Sequence, residues 1–336
     1  MPCEVSIAFQ TDKSPAEYIA LARLVDQYPF DAVSVYCDAP FHPSYGPLLL
    51  MAPHIRRARL GPAAVSPFRM PPIDIAANTA LLAGLARGGV YVGLARGAWL
   101  ADHGIAEPAR PLQAMREAIE VVRYLLAGGR GGYAGTVYRL AAHVRAPYPL
   151  PDGPVPVMVG TWGPKLAALA GEAAEEVKVG GSANAALVPV MRRAIALGEQ
   201  RAGRAPGTVG VAMGAVTVVD EDRQRARQAA RQAAALYLPV VMPLDPTAPA
   251  DPELLARLRQ HVALGEFDLA ADLISDELLG RFAFAGSPAD VIRQSEALFA
   301  AGARRVEFGT PHGLDAATGI RLLGERVVPA IKALRA

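Results

Sequence analysis

Two short glycine-bearing segments each follow an apolar run: Gly160-Thr161-Trp162-Gly163-Pro164 and, further on, Gly180-Gly181-Ser182. Pro164 suits the first turn of a helix, whose unpaired backbone N–H groups would face whatever lies beyond the strand end. Together the two segments have the composition of a phosphate cradle, although each also fits a plain turn after a strand. A second group is ionisable. Asp38 and His42 come soon after the run Ala32–Tyr36, Arg96 and Gly97 follow Val90–Leu94, and His312 follows Val306–Gly309. A carboxylate and an imidazole suit proton transfer, and an arginine just past a buried strand suits anchoring a substrate or cofactor. Each has a plainer use as well: Asp38 as a turn cap, His42 as a loop histidine, Arg96 as an ion-pair partner of Asp38. The third stretch is Leu60-Gly-Pro-Ala-Ala-Val-Ser-Pro67, an apolar run stopped by proline at both ends. Its small Ala63 and Ala64, followed by Val65, would let something flat lie against the backbone.

Composition removes several other chemistries. Of 336 residues, 52% are hydrophobic and 20% charged, which excludes a disordered chain. The net charge is +2, with 34 basic against 32 acidic residues, so nothing draws the chain to nucleic acid or a membrane surface. Apolar runs stop well short of a membrane span, and Met1-Pro2-Cys3-Glu4 lacks a signal pattern. Two cysteines, Cys3 and Cys37, make neither a disulfide framework nor a metal site. Gly89, Gly93 and Gly97 do not match the dinucleotide fingerprint, and no Gly-Lys-Ser/Thr loop or serine nucleophile elbow occurs. A soluble cytoplasmic protein is the expectation, with a small-molecule substrate and no metal.

The elements that must position these residues alternate along the chain. Eight apolar runs read as strands: Val5–Phe9, Ala32–Tyr36, Leu60–Val65, Val90–Leu94, Pro156–Gly160, Val177–Val179, Val209–Val219 and Val306–Gly309. Ser14-Pro15-Ala16-Glu17 and Ser287-Pro288-Ala289-Asp290 both start helices, with serine as N-cap, proline next and an acid at the third position. Leu112–Leu126 has the clearest helical period, and Ala316–Leu334 closes the chain. Two excursions interrupt the alternation: Tyr133–Tyr148, hairpin-like, and Pro239–Gly280, irregular. The pattern predicts a single-domain (βα)8 TIM barrel over residues 1–336, with its chemistry at the C-terminal strand ends. The excursions then sit at one end, shaping a substrate site or forming a dimer.

These residues together resemble the luciferase-like flavin and F420-dependent oxidoreductases, closest to the methylenetetrahydromethanopterin reductase-like branch. The likeness is carried by Leu60–Phe68, Val92-Gly-Leu-Ala-Arg-Gly97, Arg116–Gly128 and Val159-Gly-Thr-Trp-Gly-Pro-Lys165. Ala285-Gly-Ser-Pro-Ala-Asp-Val-Ile292 and Phe308-Gly-Thr-Pro-His-Gly313 complete the ordered set, which spans nearly the whole chain. The resemblance implies a TIM barrel, a homodimer, and F420 or FMN bound at the C-terminal mouth. It further implies a non-prolyl cis peptide between Ala63 and Ala64, behind the cofactor ring, and a phosphate site at Gly163 and Gly180-Gly181-Ser182. By position, Asp38 and His42 become candidates for proton transfer, Arg96 an anchor, and His312 a hydrogen-bonding group near the phosphate or ring.

The departures from that branch bear on substrate. Ala8 stands where the branch has an acid within its first strand, and Ala98 or Trp99 where it has one after the fourth. Cys37-Asp38 replaces an Asp-His pair, and Ala183 is nearest to a phosphate-holding lysine after strand six. These losses argue against methylenetetrahydromethanopterin as the substrate. They leave three expectations: an F420-dependent oxidoreductase, an FMN-dependent monooxygenase of the same fold, or a degenerate non-catalytic barrel.

Overall fold

The computed structural model describes residues 3–248 and 250–333, so Met1, Pro2 and Leu334 of the sequence reading lie outside the described residues. Among the described residues eleven strands are formed: β1 (Glu4–Phe9), β2 (Ala32–Val35), β3 (Arg59–Pro62), β4 (Val92–Ala95), β5 (Tyr133–Ala134), β6 (Arg139–Leu140), β7 (Val157–Gly160), β8 (Glu176–Gly180), β9 (Gly210–Val219), β10 (Ala283–Gly286) and β11 (Arg305–His312). Eight of them, all parallel, run in the order β3-β2-β1-β11-β9-β8-β7-β4. Bridges Leu60–Val90 and Val65–Leu94 then bring β3 against β4 and close the ring. The expected (βα)8 TIM barrel is the observed fold.

Helices wrap the outside: α1 (Pro15–Val25), α2 (Tyr45–Met51), α3 (Pro72–Ala83), α4 (Pro111–Leu126), α5 (Pro164–Ala173), α6 (Leu187–Arg201) and α7 (Arg223–Ala235). After α8 (Leu238–Val241), α9 (Pro252–Ala263), α10 (Phe267–Asp272) and α11 (Asp276–Phe282) come α12 (Pro288–Ala300), α13 (Ala316–Leu322) and α14 (Val328–Ala333). Both serine starts are capping boxes: Glu17 N–H donates to Ser14 Oγ, Asp290 N–H donates to Ser287 Oγ, and each acid accepts from its cap's N–H. The second excursion, read as irregular, is a set of short helices, α8 to α11, separated by prolines and caps. β10 was not anticipated. It pairs with Val216–Val219 of the ten-residue β9, beyond Gly210–Gly214, which pairs with β8.

The first excursion is clasped from below by one carboxylate. Glu117 on α4 accepts from the backbone N–H groups of Thr136 (2.8 Å), Val137 (2.7 Å) and Tyr138 (2.8 Å), and from the Gln113 amide (2.7 Å). Burial alone would push this carboxyl up, but the Gln113 and backbone donors hold it down at about 2. The clasp is therefore complete above the ordinary glutamate value of 4.5 and is lost as pH falls from there towards about 2. Glu117→Gln, which turns an amide N–H2 against those donors, is expected to destabilise the chain by about 1–3 kcal/mol. Faster amide exchange at residues 136–138 is the check; unchanged exchange would mean the donors are satisfied elsewhere.

Inside the barrel, alternate residues of neighbouring strands carry charge. Arg305 and Glu307 of β11, fully buried, meet Ser6 of β1, Ser34 of β2, and Glu176 and Lys178 of β8. Val306 and Phe308, on the other face of the same strand, join the apolar core under the helices. The barrel thus has a polar layer across its middle, and the strand ends rise above it.

Candidate active site

A cavity of about 1230 Å3 opens at the C-terminal strand ends. Its floor is unusually low in side-chain bulk. A Cβ on Gly160 would come 3.2 Å from Ala95 Cβ and 3.8 Å from Ala64 Cβ, so these small residues make one flat patch. The Ala63–Ala64 peptide is cis, as the resemblance implied. Beside the patch, Tyr36 and Lys178 complete the floor, with the Lys178 ammonium 5.1 Å from the Tyr36 ring centre.

One wall is glycine-rich. Trp162 Nε1 donates to Gly180 O at 2.9 Å and ties the two glycine segments together. Thr161 N–H donates to Lys178 O, and Gly163 N–H to Thr161 Oγ1, each at 2.9 Å. The N–H groups of Lys165 and Leu166, in the first turn of α5, find no acceptor among the described residues. Both residues line the cavity, as does Arg110, and neither Lys165 nor Arg110 has an ion-pair partner among the described residues.

The second glycine segment works differently from the expected cradle. The N–H groups of Gly181 (2.6 Å) and Ser182 (3.0 Å) both donate to the Gly214 carbonyl of β9, so they are not available to an anion. Gly180 and Gly181 line the cavity as wall, while Ser182 is buried behind them. Gly181 has φ of +81°, and a Cβ there would lie 2.9 Å from Val241 Cγ1 on α8. Gly181→Ala is expected to cost about 1–2 kcal/mol for the left-handed backbone and to push α8 off the wall. A denaturant midpoint equal to wild type would show that the left-handed backbone at 181 carries no such cost.

The opposite wall carries the proton-bearing groups. Gln10 Oε1 accepts from Thr11 N–H at 2.8 Å, which turns its Nε2 to donate to Asp38 Oδ2 at 3.0 Å. Tyr237, just ahead of the second excursion, also faces Gln10 and Asp38. Burial first, and then the Asp38 charge, push its phenol up, so it remains protonated at neutral pH. Asp38 and Tyr237 both line the cavity. The segment that brings Tyr237, Leu238, Val241 and Leu244 is pinned to the loop after β8: Asn184 Nδ2 donates to Asp245 Oδ2 (2.8 Å) and Thr247 Oγ1 (2.7 Å).

Of the residues singled out in the sequence, Asp38, Ala63, Ala64, Arg96 and Gly97 line the cavity, with Thr161, Trp162, Gly163, Gly180 and Gly181 across from them. Arg96 pairs with Glu107 at 2.5 Å and not with Asp38. His42, Val65, Ser182 and His312 are not lining residues. His42 is exposed on its loop, and Val65 is buried against Leu94. His312 lies buried with Nε2 3.0 Å from the Ala8 carbonyl and its ring against Phe9. Burial pushes its imidazole down to about 4, so it is neutral at pH 7 and serves packing between β1 and β11. The sequence reading missed Lys178, Tyr36 and Tyr237. Lys178 had a signal: a lysine between two valines in a strand with no solvated face.

The flat small-residue floor, the free helix N-terminus with cations beside it, and the apolar remainder suit a planar cofactor with an anionic tail, plus a second small molecule. The luciferase-like monooxygenase family model matches residues 2–305, and the chain belongs to that family. It is 26% identical to the 5,10-methylenetetrahydromethanopterin reductase of Archaeoglobus fulgidus, over 97% of this chain and 99% of that one. It is likewise 26% identical to the F420-dependent glucose-6-phosphate dehydrogenase of Nakamurella multipartita, over 95% of this chain and 94% of that one. Among solved structures, the coenzyme F420-dependent tetrahydromethanopterin reductase from Methanopyrus kandleri superposes with a TM-score of 0.90, at 24% identity, covering 98% of this chain and 100% of that one. Among the described residues no helix is long and apolar enough to cross a membrane.

Proposed function

We infer that the protein is an F420-dependent oxidoreductase that moves a hydride between the deazaflavin and a small organic substrate. The reading draws on the F420 dependence named for its relatives, and the observation that carries it is the flat Ala64–Ala95–Gly160 floor beneath a cavity large enough for two ligands. When bound, F420 supplies the hydride chemistry; the chain supplies orientation, desolvation and a proton path.

Ala63, Ala64 and Gly97 support the ring face, with Val65 packed behind them, while His312 packs between β1 and β11. Thr161, Trp162 and Gly163 lead into the α5 N-terminus, whose free N–H groups, with Lys165 and Arg110, take the phosphate-bearing tail. Gly180 and Gly181 keep that wall open, and Ser182 buttresses them. Asp38, oriented by Gln10, holds or accepts the substrate's proton, and Tyr237 donates beside it. Arg96 at the rim anchors the substrate or the tail; His42 stays on the outer loop and takes no direct part.

The site is proposed to work in a cytoplasmic homodimer. An FMN-dependent monooxygenase is the rival of the same fold. Parallel titrations of the purified protein with F420 and with FMN separate the two: saturable F420 binding with a raised melting temperature is expected. FMN binding alone would overturn this reading in favour of the rival, and binding of neither would leave a degenerate barrel.

A further inference from the structure

Among the cations that line the cavity, Lys178 is the buried one; Arg116 is half-buried and paired with Glu172, and Arg69, Arg96, Arg110 and Lys165 are exposed, where water and salt weaken their fields. Its partner Glu307 is fully buried and does not line the cavity. Beneath the floor every charge is matched. Glu307 accepts from Lys178 and Ser34, from Ser6 (3.3 Å) and from Arg305 (3.2 Å), and Arg305 in turn donates to Glu176 (3.0 Å). Lys178 and Glu307 are thus a fixed dipole with its positive end at the floor and its negative end below. Room for it comes from Gly214, where a Cβ would sit 3.3 Å from Lys178 Cε and 3.2 Å from Glu307 Cβ. The Tyr36 ring, 5.1 Å from Nζ, closes the other side.

We propose that the Lys178–Glu307 pair biases the bound cofactor towards its reduced state, the ammonium at the cavity floor favouring the form that carries more negative charge. The inference rests on the F420 reading of the same cavity. Hydride transfer from a reduced substrate adds two electrons and one proton to a deazaflavin. It therefore leaves one additional negative charge on the ring until a second proton is taken up. A buried cation beside that ring stabilises the reduced form more than the oxidised one, and by linkage it shifts the affinity ratio of the two forms by the same factor. Lys178 acts here by position and charge, with no proton transfer required of it.

The test compares dissociation constants for oxidised and for chemically reduced F420 in the wild type, Lys178→Arg, Lys178→Met and Glu307→Gln. In Lys178→Met the preference for the reduced form is expected to fall about tenfold relative to wild type. Lys178→Arg should keep it. Glu307→Gln, which leaves the cation less compensated, should raise it. A merely structural role would weaken both redox forms together and leave the ratio constant across all variants, which overturns the proposal. Failure of the wild type to bind either form of F420 would instead overturn the functional reading beneath it.

Discussion

Asp38→Asn is expected to lower kcat by about 10²–10⁴-fold while F420 affinity changes by less than about threefold. Asparagine keeps an oxygen for the Gln10 Nε2 donor, which lies 3.0 Å from Asp38 Oδ2, so the loop after β2 stays in place. What is lost is the carboxylate of that wall, while Tyr237 is held in its protonated form by burial and by Asp38. The rate of deazaflavin bleaching or recovery, with a substrate the wild type turns over, gives the measurement. Tyr237→Phe should show a smaller loss, since Asp38 remains. Wild-type turnover in Asp38→Asn would remove Asp38 from the chemistry and shift attention to Arg96, which also lines the cavity.

Glu307→Ala is expected to destabilise the fold by about 3–5 kcal/mol, the usual consequence of leaving a buried charge without its partner. Lys178 would lose its acceptor inside a barrel where its side chain is only 6% exposed, and Ser34 and Ser6 would lose theirs. The pair Lys178→Met with Glu307→Leu should recover most of that loss, because apolar side chains of similar size fill the same space without a desolvation cost. Urea denaturation midpoints of Glu307→Ala and of the double variant provide the check. Equal stability of Glu307→Ala and wild type would show that the interior admits enough water to screen Lys178.

The fold was readable because local signals and the barrel agree. Most barrel strands are compact apolar runs, buried on both faces as a parallel sheet requires, and Ser14 and Ser287 announce their helices by a cap chemistry that needs no tertiary partner. β10 escaped because Ala283-Phe-Ala-Gly286 is too short to carry a period; it is a strand only because β9 runs on past the end of its pairing with β8 and offers it an edge. The second excursion looked irregular because its helices are short and interrupted by proline, which blurs periodicity.

The site was legible by position more than by role. Reading the strand ends picked out Asp38, Arg96 and the two glycine segments, since in a closed barrel those ends share one mouth. Their bonding was another matter. The Gly181 and Ser182 N–H groups look free in sequence, yet a carbonyl from Gly214 on the next strand takes both. His312 looks poised for a ligand, yet the turn of β11 sends it back towards the Ala8 carbonyl of the neighbouring strand.

The apolar strand runs, the helix starts and the small residues at Ala63, Ala64 and Gly160 are matters of local pattern, and neighbouring residues alone suffice to specify them. Which charges meet is a matter of closure. Lys178, Glu307, Arg305 and Ser34 come from three strands far apart in the chain, and only when the ring shuts do their side chains share one low-dielectric interior, where an unmatched charge would be too costly to keep.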